Sequence, residues 1–70
     1  MTALDKLKRH ALNSGIDRVM TGDGYILFVG TFTVDFVLAL RDYAIEHRPK
    51  RIEHGIWQID KSRRWITMEY

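Results

Sequence analysis

The stretch IDRVMTGDGYILFVGT, residues 16–31, decides the fold, because it places two strand-forming segments on either side of a tight turn. The segments 16–21 and 25–31 have the β-branched and aromatic content of strands. Between them lies Gly22-Asp23-Gly24. An Asp-Gly pair readily adopts the positive φ angles of a type I′ turn, so this stretch predicts a β-hairpin.

The second strand of this hairpin is apolar without interruption from Tyr25 to Val29. Successive side chains of a strand point to opposite faces of the sheet, so an unbroken apolar run places apolar groups on both faces. We therefore expect both faces of this strand to need cover.

A helix is predicted on the N-terminal side of the hairpin. Thr2 and Asp5 have the spacing of a helix cap, and Gly15 stands where a helix of this length would end. Between them, apolar residues recur at helical spacing: Leu4, Leu7 and Ala11 form one stripe, with Leu12 at its edge.

A second helix is predicted after the hairpin, beginning at the cap Thr33 and running to about Arg48, before Pro49. Its apolar arc covers about 200°, whereas contact with one sheet face needs about 100°. One broad face would pack on the sheet: Phe36, Val37, Leu40, Tyr43, Ala44 and His47. The remaining apolar stripe consists of Val34, Leu38 and Ile45.

The last third of the chain predicts a second hairpin, with strands at 52–59 and 64–70 and a turn at 60–63. An even-length loop would place two sets of residues on the core face: Gly55, Trp57 and Ile59 with Ile66, Met68 and Tyr70. Ile56 and Trp65 would then share the less buried face. The chain is thus predicted to be one α+β domain over residues 1–70, in αββαββ order. Its four-stranded antiparallel sheet would carry both helices on one face.

Length and composition make this domain marginal in stability. A chain of 70 residues buries only about 60% of the surface that its unfolded form exposes, and without cysteine no disulfide can compensate. The surplus apolar surface therefore predicts a homodimer or a tight complex with another protein. The predicted interface residues are Val34, Leu38, Ile45, Ile56 and Trp65.

The net charge is only +2, from 11 Lys and Arg against 9 Asp and Glu, but the positive charges are unevenly distributed. Six of them lie between residues 48 and 64: Arg48, Lys50, Arg51, Lys61, Arg63 and Arg64. These are the predicted contacts to an anionic partner. They are expected at opposite ends of the third strand, so that they would not form one patch.

The sequence gives little indication of catalysis or metal binding. The three histidines, His10, His47 and His54, do not have the spacing of a zinc motif. The serines lack the context of an activated nucleophile, and the carboxylates lie singly. We expect no catalytic residue, no cofactor, no metal and no small-molecule substrate.

The same sequence predicts a cytoplasmic protein that does not enter the membrane. Its longest apolar runs are five residues, 25–29 and 36–40, against the roughly 20 that a spanning helix needs. The N-terminus has the pattern of a helix start and lacks the apolar segment of a signal peptide.

Two function classes remain. The first is a non-enzymatic protein-binding module that acts by occupying a surface of a larger assembly. Compact chains of this length without cysteine or catalytic motifs are common among the inhibitors that phages and other mobile elements direct against host complexes, anti-CRISPR proteins included. The alternative is a small nucleic-acid-binding protein, in which Trp65 would stack on bases and the basic segment from Arg48 to Arg64 would contact phosphates.

Overall fold

A computed structural model describes residues 2–70 and confirms the predicted α+β fold and its αββαββ order. The elements are α1 (Ala3–Leu12), β1 (Ile16–Gly22), β2 (Tyr25–Gly30), α2 (Val34–His47), β3 (Arg51–Ile56) and β4 (Arg64–Glu69). The four strands form one antiparallel sheet in the order β1-β2-β4-β3. This order makes β2 and β4 central and leaves β1 and β3 at the edges.

Both helices begin at the predicted threonine caps. The Thr2 hydroxyl accepts a hydrogen bond from the Asp5 backbone N–H at 3.1 Å, and the Thr2 N–H donates to the Asp5 carboxylate. These two bonds form a capping box and hold the pKa of Asp5 below its usual value. At α2, the Thr33 hydroxyl accepts from the Phe36 N–H at 3.2 Å. The helix ends in a left-handed residue, Arg48, directly before Pro49.

The core lies on one side of the sheet, and both helices pack there as predicted. The strand register places four buried side chains on this face: Ile26, Phe28, Ile66 and Met68. The helices add Leu7, Ala11, Phe36 and Leu40. The rings of Phe28 and Phe36 meet edge to face, with centroids 5.3 Å apart, and so tie α2 to a central strand.

The backbones at the start of β1 and the end of β2 approach each other very closely. A bulge between Ile16 and Arg18 shifts the register there. Gly30, with φ 156°, faces this bulge, and the Gly15 carbonyl accepts a hydrogen bond from the Thr31 N–H at 2.9 Å. A Cβ at Gly30 would lie 2.6–2.7 Å from the Gly15 oxygen and from backbone atoms of residues 16 and 17. Only glycine permits this approach.

The prediction of which β3 residues face the core was wrong. In the ladder Ile52, His54 and Ile56 stand opposite Met68, Ile66 and Arg64, and therefore on the helix-bearing face. The Trp57 N–H donates to the Arg63 carbonyl at 3.0 Å, so the loop is residues 58–62, which is an odd number.

An odd-length loop exchanges the two faces of one strand relative to the prediction. Gly55 and Trp57 consequently lie away from the core, and Ile59 is a loop residue that is 86% exposed. The turn is closed by the Asp60 carboxylate, which accepts from the Ser62 N–H and hydroxyl at 3.0 and 2.6 Å. These bonds also lower the pKa of Asp60.

Among residues 2–70, no helix is long and apolar enough to cross a membrane.

Candidate interaction surfaces

An apolar row runs along the outer side of α2, opposite the buried Phe36 and Leu40. Residues four and seven apart recur on one side of a helix, and here Val34, Leu38 and Ile45 share that side. Their exposed fractions are 74%, 42% and 66%. These three residues, called the α2 row below, are the stripe that the sequence predicted to lie outside the core.

The edge strand β3 is the second apolar region left uncovered. Within residues 2–70, α1 packs against α2 and β1, and α2 reaches the core over the central strands. Among residues 2–70, the buried core and the partly buried hydrophobic residues packed against it include no residue of β3. Ile52 and Ile56 point to the helix-bearing side and remain 43% and 48% exposed. The strand Arg51–Ile56 is called the β3 edge below.

Both helices of the described residues lie on one face of the sheet, and the opposite face is partly covered by aromatic side chains of the sheet itself. Val29 points to this face and is nevertheless buried. It stands opposite Trp65 in the ladder, and it lines a shallow pocket together with Trp57 and Ile59. The prediction that both faces of β2 need cover is confirmed at this position, and the cover comes from the second hairpin.

Trp65 can lie flat on the sheet because its neighbour on β3 is glycine. A Cβ at Gly55 would be 2.9 Å from the indole Nε1 and 3.0 Å from two ring carbons. The indole thus occupies the space that any larger residue at position 55 would take. Tyr25 covers Gly22 in the same manner at the far edge of the sheet.

A Gly55→Val substitution is expected to displace the Trp65 indole into solvent, since both groups cannot occupy the same space. We expect the tryptophan emission to shift to longer wavelength and stability to fall by about 1–3 kcal/mol. Fluorescence combined with urea denaturation measures both effects. Glu53→Val on the same face of β3 is the control, and equal emission spectra for the two variants would contradict this packing.

The structure does not bring the five predicted interface residues onto one surface. Val34, Leu38 and Ile45 lie together on α2, and Ile56 is on the same side of the sheet. Trp65 is half-buried on the opposite face, because the odd loop reverses its relation to Ile56. One flat interface cannot include Trp65 and the other four.

The basic residues are divided between the two ends of β3, as predicted, and two of them are paired with acids. Arg51 lies 3.1 Å from a Glu53 oxygen and 3.4 Å from a Glu69 oxygen. Arg63 lies 2.9 Å from Asp17 and 3.5 Å from Asp60. The remaining residues of this set are exposed: Arg48, Lys50, Lys61 and Arg64.

A groove between the helices brings together polar residues that the sequence reasoning had left apart. His10 of α1 and Asp42, Tyr43 and His47 of α2 line it. The Tyr70 hydroxyl donates to the Tyr43 hydroxyl at 3.0 Å, and burial together with this bond raises the pKa of Tyr70. Among the described residues, no group of three or more His, Cys, Asp or Glu is placed to hold a metal ion.

The main residue that sequence reasoning missed is Ile52, which lies beside Ile56 on the helix-bearing side of β3. Because side chains alternate along a strand, Ile52 and Ile56 must lie on the same face. Whether that face carries the helices depends on whether the loop has an odd or an even number of residues.

Comparison of this chain with protein families, with curated proteins and with solved structures finds no match.

Proposed function

We propose that this chain is a non-enzymatic protein-binding module whose α2 row docks into an apolar groove of a larger protein. The observation that carries the proposal is the exposure of Val34, Leu38 and Ile45 on the side of α2 that faces away from the chain's own core. Three large apolar side chains aligned on one helix are typical of a binding surface.

The spacing of the row fits recognition of a helix by a groove. Such helices use anchors about one turn apart, and the α2 row has anchors at positions i, i+4 and i+11. Position i+7 is Arg41, an exposed side chain that lies 3.5 Å from Asp42. The partner therefore needs an apolar groove with a carboxylate near its middle, because that group would receive the guanidinium.

A module of this kind acts by occupation. Burial of each anchor side chain contributes about 1–2 kcal/mol to the free energy of binding, so the three anchors can hold the partner without any chemical step. A compact chain seated on a larger assembly excludes whatever normally uses that surface. We propose that inhibition of a larger complex, by covering one of its surfaces, is the consequence of docking.

The nucleic-acid alternative has weaker support. Trp57 and Trp65 lie on one face of the sheet, but both are half-buried, Trp65 over Gly55 and Trp57 beside Val29. Of the arginines on that face, Arg51 and Arg63 each contact two carboxylates, whereas Arg18 is exposed. Phosphate binding by Arg51 or Arg63 would require these ion pairs to break.

Leu38→Asp is expected to abolish capture of the partner from an extract of the native host, whereas Leu12→Asp retains it. Loss of a central anchor costs about 2 kcal/mol or more, equivalent to roughly thirtyfold in affinity. Leu12 is a matched control, because it is an exposed leucine at the end of α1 and lies outside the α2 row. Captured proteins are identified by mass spectrometry, with nuclease treatment in parallel.

Equal capture by the two variants would overturn the proposal. A partner that is lost on nuclease treatment, or with moderate salt, would favour the nucleic-acid alternative, because phosphate contacts weaken steeply with ionic strength.

A further inference from the structure

We infer that two copies of this chain pair antiparallel through their β3 edges, with His54 opposite His54 of the second copy. This inference concerns a different surface from the α2 row and does not depend on the proposed function.

The first observation is the difference between the two edges of the sheet. Natural proteins protect edge strands from pairing by bulges and by charged residues. The β1 edge has both, because its bulge lies between Ile16 and Arg18, next to Asp17. The β3 edge is paired with β4 without a bulge from Arg51 to Ile56, and none of its side chains is buried. Its arginine and its glutamate form an ion pair with each other at 3.1 Å.

The direction of the backbone groups shows which residues of β3 can pair outward. The Tyr70 N–H donates to Gly24 at 2.8 Å, so even-numbered residues of β4 bond to β2 and odd-numbered residues bond to β3. The bond from the Trp57 N–H to Arg63 agrees with this assignment. The N–H and C=O groups of the intervening residues therefore point to the free edge: Ile52, His54 and Ile56.

The side chains at this edge favour a second copy as the partner. In a two-fold symmetric antiparallel pair, opposed residues lie on the same face. With His54 at the two-fold axis, Ile52 lies opposite Ile56 of the second copy, and Ile56 lies opposite its Ile52. Two half-exposed isoleucines of each copy would thus bury one another across the seam.

Two other registers of the same antiparallel pair are less favourable. A shift that centres the pair on Glu53 places two carboxylates directly opposite each other, which is unfavourable. A shift that centres it on Ile52 leaves Ile56 beyond the paired segment. The register centred on His54 pairs the whole strand and opposes no two carboxylates.

Cysteine scanning tests both the pairing and its register, since the natural chain contains no cysteine. The variants Ile52→Cys, His54→Cys and Ile56→Cys each carry one thiol. Opposed residues in the proposed register have Cα atoms about 5.5 Å apart, within the range of a disulfide. We expect mild oxidation to cross-link His54→Cys at least tenfold faster than the other two variants.

A backbone variant tests the same seam without any thiol. Proline at position 54 removes an N–H that points to the free edge and leaves the bonds to β4 in place. We expect light scattering at micromolar concentration to give a dimer for the natural chain and for His54→Ala. For His54→Pro we expect the dimer dissociation constant to rise at least tenfold.

Circular dichroism establishes that both variants at position 54 fold. A monomeric natural chain, or faster cross-linking at position 52 or 56, would overturn the inference. Leu38→Asp should leave the dimer intact. Light scattering therefore tests the β3 pairing, and partner capture tests the proposed function independently of it.

Discussion

A Phe36→Ala chain is expected to be mostly unfolded at 25 °C. The Phe36 ring is fully buried, and its centroid lies 5.3 Å from those of both Phe28 and Phe32. Truncation of a buried phenylalanine costs about 3–5 kcal/mol. A domain of this size has a total stability of about 3–5 kcal/mol, so one substitution removes nearly all of it.

Urea denaturation followed by circular dichroism measures this loss. Val37→Ala is the control, because Val37 is the next residue of α2 and is 46% exposed. We expect the control to unfold with a midpoint close to that of the natural chain. A cooperative transition for Phe36→Ala near the same midpoint would mean that α2 is not fixed to the sheet by this ring.

Gly30→Ala is expected to destabilise the chain by about 3 kcal/mol or more, through strain and crowding together. At φ 156° an L-residue is strained, and its Cβ would lie 2.6 Å from the Gly15 carbonyl oxygen. The crowding atoms belong to the backbone, so no side chain can move aside. Relief would require the bulge at the start of β1 to open.

Gly24→Ala is the matched control for this prediction. Gly24 has φ 77°, but the nearest atom to a Cβ there is the Tyr70 oxygen at 3.7 Å, an ordinary contact. We expect a loss of only about 1 kcal/mol from its left-handed conformation. Thermal melts give the loss of stability of each variant. Equal losses would show that the backbones at the start of β1 and the end of β2 are not closely packed.

The helices and the first hairpin could be predicted because their signals are local. Thr2 and Thr33 define helix starts through bonds to residues three positions later, and both bonds are present. The Gly22-Asp23-Gly24 turn joins adjacent strands. Each of these features depends on residues within one turn of chain.

The faces of the second hairpin could not be predicted, because one residue in the loop exchanges them. The Trp57–Arg63 bond leaves a loop of five residues, and this odd number reverses the faces of Ile56 and Trp65 relative to each other. The prediction had no means of distinguishing a loop of five residues from one of four.

Of the two candidate surfaces, one depends on a local signal and could be predicted, and the other depends on the fold of the whole sheet and could not. The α2 row follows from helical spacing alone, so Val34, Leu38 and Ile45 were identified together. The β3 edge depends on strand order, which the sequence did not predict. In the order β1-β2-β4-β3, β3 is an edge strand, and Ile52 and Ile56 remain 43% and 48% exposed there.

The central claim is that a partner protein covers the α2 row. The chain without cysteine allows a direct measurement with two single-thiol variants, Ile45→Cys in the row and Leu12→Cys on α1. Thiol-labelling rates are measured in buffer and in native host extract. We predict labelling at position 45 to slow at least tenfold in extract while position 12 reacts unchanged. Equal rates at position 45 in buffer and in extract would contradict the claim.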